Sequence, residues 1–326
     1  MADSRVTLRK IVTDQKVSSK PILSHLTKTS GLAETGLAQL ANRKKWHLYK
    51  KTDALPTATI SAHGGALPDS STTNDNIGQI DLKRISMLQS ESVEIVDDYT
   101  GGKAKYFEDN YPVYLEAFSQ KLAKQMIYGI NSTFGDATGF KGIWDYARDN
   151  HDEHSTNLIE KGGTTGSRTS IWAVNWNPLT CSILVDPMMQ NRGGEFLDVR
   201  PISNGEPVIE TDGSGNRYYV YQILYLASLG FFAASRYNVA GITQIDSSNK
   251  PTASNMNQLL DYVRAMTSST VIYCNRRGWR YINDLKDGNL EMTTADKNYD
   301  NQVASWANIP IVLEENISDS ETTALD

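Results

Sequence analysis

Two histidines flanking two carboxylates, His151-Asp-Glu-His154, carry the plainest capacity for chemistry in this sequence, because imidazole nitrogen and carboxylate oxygen both ligate metals. A zinc hydrolase helix, however, places its histidines four residues apart with glutamate directly after the first. Here the histidines are three apart, between Asn150 and Ser155, and the stretch reads as a solvated polar loop. The glycines of Gly162-Gly-Thr-Thr-Gly-Ser-Arg-Thr169 resemble a phosphate cradle, but no Gly-Lys-Ser/Thr ending follows. The strand-like Ile171-Trp172 comes next, where a helix N-terminus would be needed. No Gly-x-Ser-x-Gly elbow occurs, and His25, His47 and His63 precede any segment with core periodicity. Cys181 and Cys274 are far apart in strand-like runs and read as buried thiols. No catalytic, cofactor-binding or metal residue is assigned. The enzyme alternative is a soluble protein with its site in the loop over residues 150–168.

Something must hold these segments, and a chain of 326 residues is long enough to bury one large core or two without metals or disulfides. No stretch approaches 18 apolar residues, and residues 1–10 lack the apolar run of a signal peptide, so cytoplasmic synthesis and no membrane partner are expected. The net charge of −6 hides an asymmetry. Residues 1–51 hold eleven basic residues against Asp3, Asp14 and Glu34, which is +8 and leaves −14 for the remainder. A cationic arm on an anionic body suits an arm laid across a neighbouring subunit, or contact with nucleic acid.

Phe107, Tyr111, Leu115, Phe118, Leu122 and Met126 recur at helical steps and predict a helix over residues 107–129. Asp109 or Asn110 would cap it, with Pro112 in its first turn. Residues 135–168 read as a glycine-studded loop. Ile171–Trp176 and Thr180–Val185 read as two strands around the Asn177-Pro178 turn, and Asp212-Gly-Ser-Gly-Asn216 as a hairpin turn before a strand from Tyr218. Helices are expected from a Ser254 cap and from an Asn275 cap, and a last strand at Ile309–Leu313. The mixed element order predicts an α+β fold. Residues before 48 show no sustained period and read as an arm, and residues 48–90 as a projecting hairpin broken at Leu55-Pro56 and Gly64-Gly65.

Several short motifs carry a family resemblance in order: Tyr128-Gly-Ile-Asn131, Gly139-Phe-Lys-Gly142 with Trp144 and Tyr146, and Gly162-Gly-Thr-Thr-Gly166 leading into Thr169–Asn177. Asp212-Gly-Ser-Gly-Asn-Arg-Tyr-Tyr219, Ser235-Arg-Tyr-Asn-Val-Ala-Gly-Ile242, Cys274-Asn-Arg-Arg277 and Ile309-Pro-Ile311 continue it. From about Tyr106 onward the chain resembles the major capsid proteins of tailed bacteriophages, which have the Hong Kong 97-type fold.

That resemblance implies an N-terminal arm over residues 1–47 and an extended loop over 48–90. It further implies a peripheral domain over 91–165 with the spine helix, then an axial domain with returning peripheral strands over 166–326. It implies hexamers and pentamers forming an icosahedral head around a double-stranded DNA genome. The expected partners are other copies of the chain, a separate scaffolding protein, a portal, decoration proteins and nonspecifically contacted DNA. Arg43, Lys44, Lys45, Leu55 and Pro56 are the expected assembly contacts. With Met1 at the start of the chain, no proteolytic maturation of the N-terminus is expected. An encapsulin-like compartment is the alternative within the same fold.

Overall fold

A computed structural model describes residues 30–52, 75–149, 157–187, 197–285, 290–292 and 304–322. The chain opens with α1 (Gly31–Thr35), β1 (Ala38–Leu40), β2 (Trp46–Thr52), β3 (Asp75–Asp81) and β4 (Lys83–Ser92). Helices α2 (Val93–Asp97), α3 (Gly102–Tyr128) and α4 (Ile143–Arg148) follow. Then come β5 (Leu158–Glu160), β6 (Thr169–Asn175), β7 (Cys181–Val185), β8 (Asp198–Pro201), β9 (Val208–Thr211), β10 (Arg217–Ala233) and β11 (Val239–Ile245). The last elements are α5 (Ala253–Tyr262), β12 (Thr270–Cys274), α6 (Arg276–Asn283), β13 (Leu290–Met292), β14 (Ala304–Trp306) and β15 (Ile309–Leu313).

The seventeen residues of β10 form the axis of a six-stranded sheet. One edge pairs antiparallel with β4 over ten residues, from Val220 opposite Ser92 to Leu229 opposite Lys83. Along the other edge β9, β8 and β7 lie end to end, and β1 adds parallel to β7. A second sheet has the order β13-β14-β15-β12-β6-β11-β5. Its inner strand β6 is buried on both faces, as its unbroken apolar run requires. Trp172 and Val174 face the core shared with α3 and α4, while Ile171 and Ala173 face α5 and α6.

Leu115, Phe118, Leu122 and Met126 are buried in that shared core, so the stripe faces a sheet as its spacing predicts. The helix itself starts at Gly102, five residues before the expected start. Its first turns are exposed and charged, with Lys105 bridging Asp109 at 2.8 Å, and such turns leave no hydrophobic period to read. Asp109 and Asn110 are therefore not caps. Pro112 is interior, on the exposed side, where the Glu108 carbonyl it leaves without a partner belongs to a solvent-exposed residue. No helix among the described residues is long and apolar enough to cross a membrane.

The two strands expected around Asn177-Pro178 form as β6 and β7 and belong to different sheets; Trp176 between them is buried and donates Nε1 to the Tyr273 hydroxyl at 2.9 Å. Two other expectations change. The segment over 135–168 contains α4 and β5, fixed where Trp144 packs edge-on against Trp172 and where Asp145 accepts from the amides of Ile130 and Gly142. The cap of α5 is Thr252, whose hydroxyl accepts from the Asn255 amide, whereas Asn275 caps α6 as expected.

The C-terminal segment over residues 314–321 ties the elements together. Asn275 Nδ2 donates to Thr169 Oγ1 and Asp319 Oδ1, each at 2.7 Å, and Ser318 N donates to the Tyr128 hydroxyl at 2.8 Å. Glu321 is fully buried and accepts from Tyr128 Oη at 2.9 Å and Ser170 Oγ at 2.8 Å. Burial pushes its carboxyl up to about 7, against the opposing pull of those two donors. The folded state thus holds this proton more tightly than the unfolded chain does. The stabilisation is complete below about pH 4.5, declines as pH rises toward 7, and is gone above it. The swing is at most about 3 kcal/mol. Urea midpoints measured at pH 5 and pH 8 should show it in wild type and not in Glu321→Gln. An equal pH dependence in both would place the titration elsewhere.

Candidate assembly surface

The strands β2 and β3 form a separate antiparallel hairpin, from Trp46 opposite Asp81 to Thr52 opposite Asp75. Its foot rests on the six-stranded sheet, where the rings of His47 and Tyr49 lie 5.4 and 4.9 Å from that of Phe232. Gly78 lies opposite Tyr49 and leaves room for its ring, since a Cβ there would lie 2.3 Å from the ring and the tyrosine would have to shift off Phe232. Residues 83–90, expected in this hairpin, belong instead to β4, whose partner is β10. Their alternation of half-buried and exposed side chains suits a sheet edge as well as a free hairpin, which is why the sequence did not separate the two.

A bend over residues 42–45 joins β1 to the hairpin. Asn42 closes it, accepting the Leu48 amide at 2.9 Å and donating Nδ2 to the Leu48 carbonyl at 2.6 Å. The Asn42 amide donates to His47 Nδ1 at 3.4 Å, and burial lowers the His47 pKa, which keeps that nitrogen an acceptor. The bend thereby presents Arg43, Lys44 and Lys45 to solvent, flanked by the exposed apolar groups of Leu40 and Trp46. Among the described residues none of the three cations is in an ion pair. Leu55 and Pro56 lie outside the described residues, so the structure brings only the three cations together.

At the far end of β4, α2 presents a different surface. Glu94, Ile95, Asp98 and Tyr99 are exposed, while Val96 turns into the core. Behind it, Glu91 accepts from Tyr106 Oη at 3.1 Å and Tyr114 Oη at 2.8 Å, and the Tyr114 ring stacks on Tyr225. Burial first, then the bond to Glu91, pushes the Tyr114 hydroxyl up to about 12. Sequence reasoning missed α2. Its only signal is Val93-Glu-Ile-Val-Asp-Asp-Tyr99, a short run without glycine or proline.

His25, His63, His151 and His154 lie outside the described residues. Among the described residues no group of three His, Cys, Asp or Glu could hold a metal. In the glycine loop the Thr164 amide donates to Asp246 Oδ2 at 2.7 Å and the Gly163 amide to the Gln244 carbonyl at 2.8 Å. These donors, which a phosphate would need, are held by the protein's own oxygens, and the Thr164 bond leads in keeping the Asp246 carboxyl well below its usual range. Cys181 and Cys274 are buried, and burial pushes both thiols up, away from the nucleophilic thiolate.

Comparison with known proteins supplies the family. The family model described as "Major capsid protein GP7" matches residues 14–324. The chain belongs to the GP7 major capsid protein family. The fold of this GP7-family coat subunit is similar to that of the bacteriophage Epsilon15 structure, with 15% identity, a TM-score of 0.58, and coverage of 89% of this chain and 88% of that one. It is also similar to the bacteriophage JBD30 capsid, with 9% identity, a TM-score of 0.50, and coverage of 94% and 97%. The architecture of the coat subunit is thus α+β and of the Hong Kong 97 type, as the sequence resemblance implied. Among curated proteins no sequence match is found.

Proposed function

We propose that this major capsid protein assembles as hexamers and pentamers into the icosahedral head around the double-stranded DNA of a tailed bacteriophage, inside a bacterial host cytoplasm. The observation that carries the reading is the family match over nearly the whole chain. In this reading the subunit works by shape and contact and not by catalysis. The spine helix and six-stranded sheet belong to the peripheral domain, and the seven-stranded sheet with α5 and α6 to the axial domain. Arg43, Lys44, Lys45, Leu55 and Pro56 contact neighbouring copies, and a scaffolding protein, a portal, decoration proteins and packaged DNA are the other partners. Many modest contacts per copy then add up to a stable closed shell.

Negative-stain microscopy of the expressed chain should show shells or capsomers. Monomers at every concentration, with a metal bound near residues 150–168, would favour an enzyme. Particles filled with protein cargo and free of nucleic acid would favour an encapsulin-like compartment.

A further inference from the structure

The cationic bend and α2 sit at opposite ends of one strand. The Lys45 carbonyl accepts the Leu82 amide at 2.8 Å, one residue before β4 begins, and α2 starts directly after β4 ends at Ser92. Ten residues of β-strand separate the two ends by about 30 Å. The surfaces are complementary in kind: Arg43, Lys44 and Lys45 are flanked by exposed Leu40 and Trp46, while Glu94 and Asp98 are flanked by exposed Ile95 and Tyr99. Like the cations, Glu94 and Asp98 are in no ion pair among the described residues. Within one chain they cannot meet, because the ladder between β4 and β10 holds them apart.

We propose that the bend over residues 40–46 of one subunit docks on the exposed surface of α2 and the turn that follows it, formed by Glu94, Ile95, Asp98 and Tyr99, in a second copy of the chain. Such a contact is heterologous, using different surfaces on the two partners. It therefore propagates head to tail and closes into a ring when the rotation per subunit allows. The apolar flanks exclude water from the charged centre, where opposite charges select the partner and like charges reject it. The proposal rests on the reading of the chain as a self-assembling coat subunit.

A charge exchange tests it in the full-length chain. Reversing the bend with Arg43→Glu, Lys44→Glu and Lys45→Glu should lower the assembled fraction at least about tenfold, and so should Glu94→Lys with Asp98→Lys. Carrying all five substitutions in one chain restores opposite charges across the contact and should return assembly to within about twofold of wild type. Circular dichroism reports whether each variant is folded, since all five positions are exposed. If wild type assembles and the folded five-fold variant stays as defective as the separate reversals, the contact is wrong. The same holds if either reversal alone assembles like wild type. A wild-type chain that forms no shells or capsomers would overturn the coat-subunit reading itself, and this contact with it.

Discussion

A chain lacking residues 1–45 should be recovered unfolded or aggregated, whereas one lacking residues 1–29 should melt cooperatively. The sequence reading took residues 1–47 as an arm, outside the folded body. Residues 30–41 instead belong to that body. Leu32, Leu37, Ala38 and Ala41 are buried, and β1 covers the edge of β7. Each buried leucine contributes about 1.5–3 kcal/mol. The deletion also removes two of the donors to Glu314, a fully buried carboxylate that accepts from Ser30 Oγ at 2.7 Å and the Leu32 amide at 3.0 Å. A buried carboxylate stripped of donors costs about 1–3 kcal/mol more. Together these losses rival the whole stability of a domain, about 5–15 kcal/mol. Thermal melts of the two truncations followed by circular dichroism measure the contrast. A melting temperature for the longer deletion within a few degrees of wild type would show that residues 30–41 are dispensable.

Phe118→Asp should abolish soluble expression. Phe118 lies on the buried stripe of α3, in the core shared by both sheets, and among the described residues no lysine or arginine is buried to pair a new carboxylate. Burying an unpaired charge after removing an aromatic side chain costs roughly 5 kcal/mol or more. Lys124→Ala, on the exposed side of the same helix, should change stability by less than about 0.5 kcal/mol. Soluble yield and urea midpoints compare the two. A soluble, cooperative Phe118→Asp protein would mean that the stripe does not face the core.

The stripe was legible because Leu115, Phe118, Leu122 and Met126 repeat at helical spacing, and Asn275 was legible because a cap needs a particular side chain at a particular place. Residues 30–41 were not, since Leu32, Leu37 and Ala38 are too few and too unevenly spaced to form a period. The apolar runs that mark β6 and β7 as strands are buried on both faces and carry no information about which sheet receives each. At the candidate assembly surface, the cations of the bend stood out as consecutive charges. The carboxylates of Glu94 and Asp98 did not, because exposed carboxylates are common in an anionic body and a five-residue helix has little pattern.

The bonds to Glu314 link positions 284 residues apart in sequence. A nascent chain that has not yet emerged as far as Glu314 has nothing to receive Ser30 and Leu32, and β1 waits likewise for β7. The core therefore closes only after synthesis has passed these residues, and long-range closure of this kind is slow. The segments around residues 30 and 314 therefore stabilise one another, and a chain that stops short of Glu314 leaves Ser30 and the Leu32 amide without the acceptor that holds them in the core.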